Sequence, residues 1–73
     1  MAIVDIKAEI TGNVWKITAT LGQKVEEDEP IIIMESMKME IPVAAAEPGV
    51  VMEILVKEGD VVTEGTVVAR IEA

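Results

Sequence analysis

The chain has no cysteine, no histidine, no tyrosine and no phenylalanine, and Trp15 is the one aromatic residue among its 73 positions. Without cysteine, disulfides contribute nothing and thiol chemistry is excluded, so a reducing compartment is permitted. Without histidine and tyrosine, the usual proton-transfer side chain and the commonest metal ligand are both missing. Carboxylates and amines are all that remain for chemistry, which argues against a self-sufficient enzyme. Positive charge is also scarce. Fourteen acidic residues against six basic ones leave a net charge of −8, a balance that repels nucleic acid and anionic membrane surfaces and suits basic docking surfaces on partner proteins. No stretch reaches the ~18 apolar residues of a membrane span. Met1 to Ile10 has no cationic flank followed by a long apolar core. The expectation is a soluble, cytoplasmic, monomeric protein with no nucleic-acid or membrane partner and no bound metal.

The residues present are 51% hydrophobic, mostly valine, isoleucine and alanine, which suits a thin interior between two small sheets. A chain this short forms one domain, residues 1–73, and buries only about 60% of its unfolded surface. Residues 15–21 alternate, predicting a strand with Trp15, Ile17, Ala19 and Leu21 inward. The same rhythm recurs with Met52, Ile54 and Val56 inward. Gly22 and Gly59 end these strands at turns that can use positive φ, and Gly12 and Gly49 open them. Further strands are expected near residues 3–7, 30–36, 39–45 and 66–72. Pro42, inside an apolar run, marks an edge strand. No segment carries a helical period, so an all-β flattened barrel or sandwich follows.

Residues 8–35 laid over 45–72 at a constant offset of 37 give eight identities in 28 positions without a gap. They are Ala8/Ala45, Gly12/Gly49, Val14/Val51, Ile17/Ile54, Gly22/Gly59, Val25/Val62, Glu27/Glu64 and Glu35/Glu72. Such regularity predicts one supersecondary unit used twice, both copies closing a single core with Ile17 and Ile54 meeting near its axis. The offset places the segment around Lys38 level with the chain ends. Termini lie at the surface as a rule, so Lys38 is expected on an exposed turn at the opposite extremity.

Lys38 stands in Glu35-Ser36-Met37-Lys38-Met39-Glu40, between two methionines at the joint of the halves. Exposed lysines are common and mostly idle. Large apolar side chains flanking an exposed turn are unfavourable unless something docks on them, and methionine suits docking because it is flexible and polarizable. Lys7, Lys16, Lys24 and Lys57 have no such flanks. Two rival sites are weaker. The run Glu26-Glu27-Asp28-Glu29 lacks the spaced ligands and central glycine of a calcium loop and reads as a solvated turn. Met34, Met37 and Met39 could be soft copper ligands, but Met34 aligns with Ile71 as a core residue, and the others flank a cation.

Met37-Lys38-Met39 with Glu35, at the joint of a duplicated β pattern, resembles the attachment motif of the biotinyl/lipoyl carrier domains. The likeness covers the whole chain, including Gly12-Asn13-Val14, Gly22 to Val25, Pro48-Gly49-Val50-Val51 and Gly59 to Gly65. It implies a hammerhead fold, a barrel-sandwich hybrid of two four-stranded antiparallel sheets with quasi-twofold symmetry. It further implies that Lys38 is acylated by biotin through a biotin protein ligase. Glu35, Ser36, Met37, Met39 and Glu40 then form the ligase recognition segment. The lysine becomes a swinging arm carrying activated carboxyl groups between biotin carboxylase and carboxyltransferase sites. Such a domain is a substrate carrier without catalytic groups of its own. Ser36 stands where biotinyl domains usually have alanine, and Glu35-Ser36 also fits lipoyl domains, whose acidic residue just before the lysine is Met37 here. Lipoate and a lipoate ligase, with service to a 2-oxo acid dehydrogenase, are therefore the alternative, and an unmodified interaction module is a further one. Met1 and the absence of an Ala/Pro-rich linker favour a small free-standing attachment protein.

Overall fold

A computed structural model describes residues 2–73. Eight strands run β1 Ile3–Lys7, β2 Gly12–Ile17, β3 Lys24–Val25, β4 Pro30–Ser36, β5 Met39–Ala44, β6 Gly49–Ile54, β7 Val61–Val62 and β8 Val67–Glu72. They form two four-stranded antiparallel sheets, ordered β1-β8-β6-β3 and β5-β4-β2-β7. The result is the expected flattened barrel-sandwich, 36 × 18 × 18 Å.

The offset of 37 carries β1 onto β5, β2 onto β6, β3 onto β7 and β4 onto β8, so it exchanges the sheets strand for strand. Each sheet takes its central pair from one half and its outer strands from the other. Burial follows the same rule. The buried residues pair as Ile6/Val43, Ala8/Ala45, Val14/Val51, Val25/Val62, Ile31/Val68, Ile32/Ala69 and Met34/Ile71; Ala19 alone has a partner, Val56, that is only partly buried. The repeat thus reaches back to Ile6, beyond the identities. Long-range backbone bonds come in matching pairs too: Gly22 N–H donates to the Val51 carbonyl and Gly59 N–H to that of Val14, both at 2.7 Å.

Three expectations shift. Trp15 and Leu21 are 47% and 65% exposed, and Met52 is also exposed, while Val14 and Val51 are buried. For Trp15 and Met52 the cause is a β-bulge in each copy: the register of β2 with β4 slips between Val14 and Lys16, and that of β6 with β8 between Val51 and Glu53. One extra residue reverses the phase of alternation. Ile17 and Ile54 are half-buried against the core, which is centred instead on Ile31, Ile32, Met34, Val68 and Ile71. The third concerns extent: the strand expected over residues 15–21 ends at Ile17, so Leu21 lies in the turn at Gly22, and the two-residue strands β3 and β7 fall below any periodic signal.

Turns behave as their residues require. Gly22 and Gly59 take φ of 83° and 94°. Pro42 sits in edge strand β5, where a missing N–H costs little. The acidic run forms a turn in which Glu29 N–H donates to the Glu26 carbonyl, while Glu29 Oε1 accepts from Glu26 N–H at 3.0 Å. Its Asp28 has φ 69°, where the second copy places Gly65 at 89°.

Charge is organised unevenly between the sheets. In the first sheet Arg70 bridges Asp5 at 2.9 Å and Glu53 at 3.2 Å. Hydrogen bonds to those two carboxylates raise the guanidinium pKa above its ordinary value. The equivalent positions in the second sheet are Ile33, Pro42 and Lys16, so that sheet carries no such bridge.

Candidate functional site

Strands β4 and β5 are joined by two residues. Ser36 is the last pair with Met39, and Met37-Lys38 is the link. Their φ values are 51° and 64°, the positive pair that a type I′ hairpin turn requires and that Asn-Gly normally supplies. Left-handed backbone costs a residue with a Cβ roughly 1–2 kcal/mol. The turn is therefore strained twice over.

Two more unfavourable features converge on the same six residues. Glu35 pairs directly across from Glu40, both exposed. Like charges opposite one another destabilise a sheet, and among the described residues the ion pairs are those of Arg70, so neither glutamate is neutralised. Met37 is 90% and Met39 59% exposed. Strain, unpaired like charge and exposed apolar surface gathered on one turn make it the candidate functional site. Lys38 is exposed at the turn itself. Of the five lysines it alone has a positive φ. Lys7, Lys16 and Lys24 lie within strands, and Lys57 sits in a turn closed by Asp60, whose Oδ2 accepts the Lys57 N–H at 2.9 Å.

The structure brings Glu35, Met37, Lys38, Met39 and Glu40 together on the exposed hairpin, with Ser36 half-buried at its base. Met34 is fully buried in the core, apart from the two exposed methionines. By the offset, the Ser36–Met39 pair corresponds to Ala73 and Ala2, which exchange backbone hydrogen bonds of 2.8 and 3.2 Å in the other sheet. The hairpin and the chain ends are thus equivalents, one closed by a turn and one open. Sequence reasoning missed the neighbours that β2 and β7 supply: Asn13 pairs with Glu35 on one side and with Val61 on the other. Those contacts depend on a strand order that periodicity does not encode. A surface groove of about 540 Å³ lies elsewhere, between edge strands β1 and β5, lined by Ile6, Lys7, Val43 and Ala44 among others. The hairpin thus presents an exposed amine at the end of the β4–β5 ladder.

Residues 2–71 match the model of a family described as "Biotin-requiring enzyme", the biotin/lipoyl family. The chain belongs to this family. A biotin/lipoyl attachment protein of Bacillus subtilis is 41% identical over 68 residues, 93% of each chain. Among solved structures, urea carboxylase of Kluyveromyces lactis superposes with a TM-score of 0.94 at 40% identity, over 99% of this chain and 6% of that one. The lipoyl domain of the 2-oxoglutarate dehydrogenase complex from Azotobacter vinelandii superposes at 0.77 with 32% identity, over 96% of each chain. This biotin/lipoyl domain is therefore similar both to a small protein of its own length and to a short segment of a large carboxylase. Members of the family named for attachment are carriers.

Proposed function

We propose that residues 1–73 act as a biotin carboxyl carrier domain whose Lys38 is the attachment point. The observation that carries the reading is the exposed lysine held in the left-handed region of a strained two-residue turn, in a chain of a biotin-requiring family. The residues suit covalent attachment: no pocket is needed, only an accessible amine at a fixed height.

Each part of the hairpin has a task. The β4–β5 ladder below Ser36–Met39 fixes the turn, so that geometry selects one lysine of five. Met37 and Met39 offer soft apolar contacts, and Glu35 with Glu40 an acidic patch, to the ligase that acylates the site. Attack on an activated acyl group needs the Nζ lone pair, so the ligase must supply the base that takes up the ammonium proton. An amide then forms, the activating group leaves with the bonding electrons, and the side chain loses its charge. Once attached, biotin supplies the group that takes up and delivers carboxyl. Tethering confines it near each active site it visits. The partners in this reading are biotin protein ligase and the biotin carboxylase and carboxyltransferase components, met by a monomeric domain in the cytoplasm.

Biotin is favoured over lipoate by Met37, which stands where lipoyl domains carry an acidic residue, and by the closer superposition on the carboxylase segment. Co-expression with a biotin ligase, followed by intact mass and peptide mapping, tests the proposal. One biotinyl increment on Lys38 is expected. An increment on Lys16 or Lys57, or a lipoyl increment when both ligases compete, would refute it.

A further inference from the structure

Gly12 opens β2 and lies beside the end of β4 just before the lysine turn. A Cβ on residue 12 would stand 2.5 Å from the Glu35 carbonyl oxygen and 3.2 Å from Ser36 Cβ. We infer that Gly12 is a positioning residue for Lys38, setting the height of the hairpin through this close backbone approach. The inference rests on the reading of Lys38 as the acyl acceptor.

The argument turns on which strand would yield. A contact at 2.5 Å is about 0.9 Å shorter than the 3.4 Å at which ordinary packing begins. The start of β2 is held from the far side. Gly12 pairs with Val62 and Asn13 with Val61; Val14 N–H donates to the Asp60 carbonyl at 2.8 Å, and its own carbonyl accepts from Gly59 N–H at 2.7 Å. Thr11 Oγ1 accepts from Glu64 N–H at 3.0 Å. The other side of β4 carries only β5, an edge strand. An added methyl therefore displaces the Glu35-Ser36 end of β4, and Lys38 with it.

The pseudo-symmetry supplies the control. Gly49 opens β6, and a Cβ there would stand 2.6 Å from the Glu72 carbonyl oxygen, the equivalent of that of Glu35. Gly49→Ala imposes the same collision at the chain-end side of the molecule, where no lysine is carried. Both variants carry a comparable steric penalty, and only Gly12→Ala moves the amine.

The test compares wild type, Gly12→Ala and Gly49→Ala as substrates of biotin ligase with biotin and ATP, reading rates by intact mass. Melting curves establish that each is folded, and an osmolyte such as trimethylamine N-oxide, which strengthens burial, is added to all three if needed. A displacement near 1 Å can cost about a hundredfold in rate. Gly12→Ala is expected to lose at least about tenfold in kcat while its KM stays within about twofold, because the docking surface keeps its side chains. Gly49→Ala should match wild type. Equal losses in both variants would show general loosening and overturn the inference, as would wild-type rates in both. Failure of Gly12→Ala to fold where Gly49→Ala folds would overturn it too. Absence of acylation in wild type would instead sink the attachment reading itself.

Discussion

Replacing Met37-Lys38 by Asn-Gly should make the domain more stable while abolishing its function. Both native residues hold positive φ, 51° and 64°, with a Cβ in the way. Glycine releases one penalty of roughly 1–2 kcal/mol outright and asparagine, which tolerates this region better, releases part of the other, a gain of about 1.5–3 kcal/mol. Glycine returns some of this, since it costs about 0.5–1 kcal/mol more than alanine in conformational entropy on folding. Removing the lysine also takes a positive charge from a chain of net charge −8, an exposed effect worth at most about 1 kcal/mol. The net expectation is a gain of about 1 kcal/mol, or a melting temperature higher by roughly 4–8 °C for a domain of this size. Urea denaturation of the unmodified proteins, with the slope checked for constancy, measures it. An unchanged or lowered midpoint would refute the claim that the turn is strained, and with it the argument that strain marks the site. Asp28→Gly provides a comparison. It should gain less, because only one left-handed residue is relieved, at a turn whose equivalent already uses Gly65.

Lys38→Arg keeps the charge but cannot be acylated, since the guanidinium stays protonated; intact mass should show no increment, and stability should change by less than about 0.5 kcal/mol. Ile31→Ala empties a fully buried site and should cost roughly 2–5 kcal/mol by urea midpoint. Ile17→Ala, at a half-buried position, should cost clearly less, and equal costs would mean the core is centred elsewhere. Met37→Asp restores an acidic neighbour to the lysine and places a third carboxylate near Glu35 and Glu40. Competition between biotin and lipoate ligases should then shift toward lipoylation, and an unchanged ratio by mass would count against Met37 as a specificity determinant.

The six longer strands, the edge position of Pro42, the turns at Gly22 and Gly59 and the exposed hairpin at Lys38 were legible in the sequence, because each follows from a local rule or from the repeat, whereas the count of four strands per sheet came only from the family resemblance. The inward face of β2 was not. Strict alternation read back from Ile17 put Trp15 inward, whereas the bulge put Val14 there. A signal was present: Val14 and Ile17 both recur, as Val51 and Ile54, and a spacing of three cannot keep two residues on one face of a regular strand. A repeated odd spacing of identical core residues announces a bulge. The closeness of Gly12 to Glu35 had no such signal, since the sequence shows a glycine at a strand start but not which strand comes against it.

Ile3 pairs with Glu72, so β1 of this domain finds its partner only in β8. A growing chain cannot close its first sheet until residue 72 has cleared the ribosome. The second sheet depends likewise on β7, since Val61 and Val62 flank the start of β2. A β4–β5 hairpin alone would be marginal in water, and its two strained torsions make it more so. The shape that presents Lys38 therefore comes into being late and all at once. Under the proposed function, a ligase that reads this shape rather than the tripeptide would act only on domains whose two sheets have closed, and the label would record that closure.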